Sequence, residues 1–401
     1  MALLPVAEAL AQLLEGAEPK PAEMVSLHDA AGRVLAEPLK ALRTQPPFNA
    51  SAMDGYAVRA TDTTDAAKAL KIIGEAPAGR QFSGKVGPCE AVRIFTGAPV
   101  PEGADAVLIQ ENAEAAGDHV RALEPVTAGR NIRRRGLDFK EGDVLLEKGR
   151  VLDAAALALA ASANHPALPV VAKPIVAIIA TGDELLLPGS TPGPDQIISS
   201  NAYGVAPICA EAGATVLDLG IARDSIDAIT ALVTKALEAK ADIIVTLGGA
   251  SVGDHDLVHQ ALTQAGMSLS FWKIAMRPGK PLMFGTLGQA RCIGLPGNPV
   301  ASLLCTQLFI RPLVRRLAGH ADEMAQLQSA VLGTDMAEND LRQDYVRASV
   351  ERSDGKLVAT PFPTQDSSML RVLADSNAAI VRPPFDRALK AGDACHVIML
   401  R

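Results

Sequence analysis

ADIIVTLGGASVGDHD, residues 241–256, joins an apolar, β-branched run to two glycines, a serine, a third glycine and the acids Asp254 and Asp256. A run this short and this apolar reads as a strand buried on both faces, which is the habit of parallel sheets. The same order recurs on either side. PIVAIIATGDEL (174–185) is a β-branched run that ends in a polar turn, and NAYGVAPICAEAG (201–213) has helical spacing with a glycine stop. ATVLDLGIARD (214–224) is a second strand, followed by the amphipathic SIDAITALVTKALEAK (225–240) with Ser225 as its N-cap. ARCIGLPGNPVASLLCTQLFIRPLVRRL (290–317) repeats strand, glycine turn and helix. Such alternation predicts a doubly wound, mostly parallel α/β domain, and ligands of these sheets bind beyond the carboxyl ends of the strands. The loops carrying Glu184, Asp224, Asp254 and Asp256 are therefore expected to converge on one edge.

The flanks read differently. Residues 45–137 are rich in glycine, proline and short β-prone runs and predict an inserted, mostly β module. Residues 1–44 and 138–168 form a helical connector region around it, with helical patterns at 24–39 and 151–164. The α/β domain is expected over 169–322, and alternating segments in 323–401 predict a small C-terminal β barrel. The predicted class is thus α/β multidomain, as 401 residues exceed what one hydrophobic core organises.

Composition narrows the chemistry. With 48% hydrophobic and 21% charged residues the chain is globular, and 3% aromatics with a net charge of −7 argue against a nucleic-acid surface. The five cysteines are scattered without a CxxC pair, which excludes a zinc ribbon, argues against a disulfide framework and points to a reducing compartment. No apolar run reaches the ~20 residues of a membrane helix, and the N-terminal Leu/Ala pattern reads as an amphipathic helix, so a cytoplasmic location is expected. His119, His165, His255 and His259 have no metal-ligand spacing, and GxSxG, HExxH and GxxxxGK[ST] are absent.

Glycines beside a helix start let backbone N–H groups approach an anion, and GGASVG (248–253) and PGNPVAS (296–302) are both so placed. Between them, FWKIAMRPGKPLMFG (271–285) holds Lys273, Arg277 and Lys280 around a Pro-Gly-Lys-Pro turn that suits a compact oxyanion or phosphate. Acids beside an anion repel it unless a cation intervenes, so Glu184, Asp224 and Asp256 imply a divalent metal, with Mg²⁺ the hard ion that shares phosphate oxygens. In the inserted module Asp54 stands between Met53 and Gly55, Thr96 sits in a glycine–proline turn, and Asp138 follows three arginines. Each of these residues also has an ordinary reading as a helix cap, a tight turn or a solvated charge.

PPFNASAMDGYAV (46–58), RIFTGAPVPEGADAV (93–107), RRRGLD (133–138), TGDEL (181–185), GGASVGDHD (248–256), MRPGKP (276–281) and GLPGNPVAS (294–302) together resemble the molybdopterin molybdenumtransferase family, that of MoeA and the gephyrin E domain. YVRAS (345–349) and QDSS (365–368) extend the likeness into the C-terminal barrel. The resemblance implies a transferase that loads molybdate onto adenylylated molybdopterin and releases AMP. It implies Glu184, Asp224 and Asp256 as cleft and metal residues, and Gly248, Gly249 and Ser251 as ligand-holding. Pro296 and Pro299 would shape the opposite wall. Arg277, Pro278 and Lys280 would gather molybdate, with Arg347 and Ser367 assisting from the barrel. It also implies a homodimer in which Asp54, Thr96 and Asp138 complete the partner's site, with the molybdopterin adenylyltransferase and other cofactor-pathway proteins as further partners. Asn49, Leu137, Arg277 and Asp366 depart from the family pattern. A gephyrin-like scaffold for protein segments and a related pterin adenylyltransferase stand as the alternatives.

Overall fold

Along the strand Ile175–Thr181, Val176, Ile178 and Ala180 enter one buried core while Ala177 and Ile179 enter another on the opposite face. That two-sided burial is why the run lacks the polar alternation of a surface strand. Each buried valine or isoleucine among them stabilises the fold by ~1.5–3 kcal/mol. The computed structural model describes residues 3–249, 257–321 and 326–401. By its internal contacts the chain forms two units, one made of Met24–Ala31 and Glu37–Pro169, the other of the remaining described residues.

The larger unit is built on a six-stranded sheet whose order is Thr215–Ala222, Ile175–Thr181, Ile243–Leu247, Ala290–Leu295, Pro281–Leu287, Ser268–Lys273. The first four strands pair in parallel. The last two are antiparallel to their neighbours, because the short turn after Leu287 leaves no room for a crossover helix. The sheet is therefore mixed at that side, and the basic 274–280 turn joins two of its antiparallel strands. Helices Asn201–Glu211, Pro299–Cys305 and Arg311–Leu317 pack on one face, and Ile226–Glu238 and Leu257–Gln264 on the other. Ser225 caps its helix as expected, its Oγ accepting from Ala228 N at 3.2 Å.

The C-terminal segment of the same unit closes into a five-stranded barrel of Leu327–Leu332, Gln343–Ser353, Lys356–Pro361, Ala378–Arg382 and Ala394–Met399. The eleven-residue strand Gln343–Ser353 completes the ring by pairing with both Lys356–Pro361 and Ala378–Arg382. Its first residues also pair with the two-residue strand Met276–Arg277, so the barrel borrows an edge from the α/β domain.

The smaller unit carries a six-stranded sheet in the order Ala106–Ile109, Gly55–Val58, Glu90–Ile94, Ala69–Ala76, His119–Ala122, Ala113–Ala116. Helix Ala154–Ser162 is capped by Asp153, whose Oδ1 accepts from Ala156 N. The helical pattern at 24–39 is not realised. Instead the structure has the strand Ala22–Ser26, a single 3-10 turn Leu27–Asp29 and the short strand Leu39–Lys40. Ser26 and Asp29 bond each other locally, and Pro38 cannot donate to a helix, so the apolar spacing alone does not carry it.

Candidate functional site

The carboxyl ends of the parallel strands open into a cavity of ≈ 860 Å³. Glu184 lines it from the loop after Ile175–Thr181, Asp224 from the loop after Thr215–Ala222, and Gly248 and Gly249 from the end of Ile243–Leu247. Pro296 and Pro299 form another part of the wall. Six residues singled out in the sequence thus meet, far apart in the chain, because parallel strands with right-handed connections end on one edge. Ser251, Asp254 and Asp256 lie outside the described residues.

The glycines are needed for shape. Gly248 and Gly249 have φ of +95° and +66°, and a Cβ on Gly249 would fall 2.3 Å from Val258 Cγ2. Gly249→Ala should therefore lower stability by ~1–3 kcal/mol through backbone strain, seen as a lower thermal midpoint. A midpoint equal to that of the parent would mean that Val258 moves aside at no cost. The two acidic loops are tied together: Asp183 N donates to Asp224 Oδ2 at 3.4 Å, and Asp224 N to Asp183 Oδ1 at 3.2 Å. Asp183 was not singled out in the sequence, although its place in TGDE could have marked it.

Two polar side chains close the cavity's other side, and sequence reasoning missed both. Asn201 Nδ2 donates to Gly297 O at 2.8 Å, holding the glycine–proline turn. Asn298 Nδ2 donates to Ser367 Oγ at 2.8 Å, and Val300 N to Ser367 O at 3.0 Å, so the barrel's 365–368 loop sits on that turn. Ser368, next to the expected Ser367, is the barrel serine that lines the cavity.

The cationic residues divide into two kinds. Arg347 is fully buried, yet among the described residues only its Nη2 has a hydrogen-bond partner, the backbone O of Asp366 at 3.2 Å, and Nε and Nη1 have none. Burial draws its pKa below the usual guanidinium range, with Asp344 and Asp366 acting against the shift. An unpaired buried cation costs several kcal/mol, at order of magnitude, unless something neutralises it. The Asp366 carboxylate offsets this in part, through space. Its Oδ1 accepts from Ser368 N at 2.8 Å and Ser368 Oγ at 2.6 Å, and those bonds hold its pKa below the ordinary value.

Arg277 is the opposite case. Its guanidinium is engaged by Asp344, Asp340 and Asn339, and Asp344 above all raises its pKa further. Arg277, Lys280, Arg347 and Ser367 are not among the cavity's lining residues, whereas Pro281 at the end of the basic turn is. Lys280 is exposed, and its backbone O accepts from Ile274 N at 3.0 Å.

In the smaller unit, Thr96 N and Oγ1 both donate to Asp54 Oδ1 at 2.7 Å. The Thr96 N–H is the main cause that holds the exposed Asp54 carboxyl below its usual range. Asn49 Oδ1 accepts from Arg135 N at 2.9 Å, and Gly97 N donates to Ser51 O at 2.9 Å, so segments 49–54, 95–97 and 131–135 form one knitted surface. Asp138 is exposed three residues beyond Arg135, its N donating to Gln45 O at 3.1 Å, and Leu137 beside it is exposed as well.

Among the described residues no group of three His, Cys, Asp or Glu is placed to hold a metal ion. Burial pushes the thiols of Cys209, Cys292 and Cys305 to about 12, which leaves them protonated and unfit as soft-metal ligands. No described helix is long and apolar enough to cross a membrane.

Residues 4–164 match the MoeA N-terminal region (domain I and II), 177–316 a probable molybdopterin binding domain, and 329–400 the MoeA C-terminal region (domain IV). Over 406 aligned residues the chain is 36% identical to the molybdopterin molybdenumtransferase of Bacillus subtilis (strain 168), covering 99% of this chain and 94% of that protein. The chain belongs to the molybdopterin molybdenumtransferase family. A second relative of that name, from Nostoc sp., is 35% identical and covers 94% of this chain and 88% of its own. Among solved structures, the molybdopterin biosynthesis MoeA protein from Pyrococcus horikosii matches over 100% of both chains with a TM-score of 0.85 and 29% identity. The family resemblance seen in the seven motifs and the α/β multidomain class are both borne out.

Proposed function

We propose that this chain is an active molybdenum insertase, which transfers molybdenum from molybdate to adenylylated molybdopterin and releases AMP. The observation that carries the reading is the cavity, which is lined by a glycine loop fit for phosphate, two carboxylates and a barrel serine. The backbone at Gly248 and Gly249 would hold the phosphate end of the pterin. Lys280, Arg347 and Ser367 would gather molybdate, and the unpaired Nε and Nη1 of Arg347 supply donors that the protein itself leaves unused. The two dithiolene thiols of the pterin would displace one oxo ligand of molybdate, which leaves as water with their two protons at unchanged oxidation state, while a second water splits the phosphoanhydride into AMP and the pterin phosphate. The thiols of Cys209, Cys292 and Cys305, buried and protonated, take no part.

Glu184 and Asp224 both line the cavity and would supply oxygen donors to Mg²⁺, which binds through one or two carboxylates and completes its shell with phosphate and water. Bound there, it would neutralise charge at the phosphoanhydride. Asp256 would add a third carboxylate. Asp54, Thr96 and Asp138 lie in the other unit and are not among the cavity's lining residues. A homodimer that presents them to the partner's cavity would bring this site-like cluster to a ligand. The adenylyltransferase that makes the substrate is then a natural partner, and the cytoplasm the place of work. The retained charges favour the enzyme over a scaffold, which has no use for an unpaired buried arginine.

Incubation with adenylylated molybdopterin and molybdate, following AMP and active cofactor together, tests the reading. Both should rise in step and only with molybdate; cofactor-independent AMP release, or neither product, would count against it. Lys280→Ala removes one charge-assisted contact of ~1.5–3 kcal/mol. It should raise the molybdate concentration for half-maximal rate about 10- to 100-fold, with the pterin Kd nearly unchanged. Equal weakening of both ligands would place the turn at the pterin instead.

A further inference from the structure

Arg277 stands at one end of the basic turn, and its surroundings are those of a structural tie rather than an anion ligand. Nε donates to Asp344 Oδ2 at 3.0 Å and Nη2 to the same oxygen at 2.5 Å; Nη1 donates to Asp340 Oδ2 at 3.1 Å and Nη2 to Asn339 Oδ1 at 3.1 Å. Arg342 also donates to Asp340 Oδ2, at 3.1 Å. Two guanidinium groups thus face two carboxylates, and the cluster has no net charge to offer an oxyanion. Arg347, three residues after Asp344 on the same strand, differs in having two unused donors.

The geometry also says what is tied to what. Arg277 lies directly across the parallel ladder from Asp344, and Gln343 N donates to Ala275 O at 2.9 Å, so side chains and backbone reinforce one register. The turn's other contact is equally close. A Cβ at Gly279 would fall 2.7 Å from Cys305 Sγ, so this residue is pressed onto the helix Pro299–Cys305 that begins at the cavity wall. The turn that carries Lys280 is therefore clamped to the α/β domain at Gly279 and to the barrel at Arg277.

We infer that Arg277 is a positioning residue for molybdate: through Asp344 and Asp340 it sets the separation between the Lys280 turn and the strand that carries Arg347. This rests on the reading that Lys280 and Arg347 gather the oxyanion. It assigns Arg277 a different role from that of a direct molybdate ligand, which its basic motif suggested.

The two roles give opposite signs in one experiment. Asp344→Asn frees Arg277 from its main carboxylate without changing side-chain size. If Arg277 were a ligand, freeing it would tighten molybdate binding. If it positions, the molybdate KM should rise about 10-fold, while kcat at saturating molybdate and the pterin Kd stay within about 2-fold. The double variant Arg277→Asp with Asp344→Arg should return the KM to within about 3-fold of the parent, because the tie is re-formed with its ends exchanged. Thermal midpoints, read alongside, confirm that each variant is folded. A lower KM in Asp344→Asn, or no rescue in the exchanged pair, would overturn the inference while leaving the oxyanion site in place. Lys280→Ala run in parallel separates the other failure: if it leaves the molybdate KM unchanged, the oxyanion reading itself falls and this inference with it.

Discussion

Arg347→Met should leave the barrel as stable as the parent or more so, yet reduce molybdate-dependent cofactor formation by about 10²–10⁴-fold, the worth of two lost charge-assisted contacts. The reasoning starts from burial. Arg347 has no exposed surface, and two of its three nitrogens have no hydrogen-bond partner among the described residues. Replacing a poorly paired buried charge by an apolar chain of similar size is often neutral or stabilising, by up to about 4 kcal/mol. Methionine is flexible enough to fill the space, and only the Asp366 carbonyl loses a donor. Thermal unfolding and a molybdate titration decide the matter together. A sharp loss of stability with an unchanged molybdate response would make Arg347 a packing residue of the barrel.

The second large effect concerns the two acids on separate units. Asp54→Ala and Glu184→Gln should each cost about 10²–10⁴-fold in AMP release, the range for a positioned charged group in catalysis. Mixed and refolded in equal amounts, the two inactive proteins should recover about a quarter of the parental rate. Random pairing makes half the dimers mixed, and each mixed dimer has one intact site of its two. No recovery, with dimers shown by sedimentation, would mean that each cavity is completed within its own chain. Full activity of Asp54→Ala alone would reduce the Asp54–Thr96 pair to a turn.

What the sequence made legible follows the range of the forces involved. The parallel strands, their glycine turns and the meeting of Glu184, Asp224, Gly248, Gly249, Pro296 and Pro299 could be read because local apolar runs and one topological rule determine them. Arg277 could not, since Asp344 and Asp340 lie 67 and 63 residues away and pair with it only once the barrel has closed. The burial of Arg347 was hidden for a related reason. In YVRAS it alternates with apolar residues as a surface cation would, and only closure of the ring covers both faces of the strand. The expected metal and the partner-completed site depend on ligands and on a second chain, neither of which periodicity can encode. At 24–39 the apolar spacing suited a helix, but local side-chain bonds and Pro38 opposed it, and the strand and 3-10 turn prevailed.

The strand Met276–Arg277, lent to the barrel by the α/β domain, bears on how far this architecture can be shuffled. A C-terminal barrel transplanted from a relative would bring its own residues at 339, 340 and 344 but leave position 277 in the recipient, separating the two halves of an ion-pair cluster. A lysine at 277 would offer the barrel a single ammonium in place of a fork that makes four bonds. Chimeras joined in the 322–326 region therefore inherit a mismatch far from the junction. The natural unit of exchange is the barrel together with residues 276–281, and recombination between family members is constrained by a seam that does not coincide with any domain boundary.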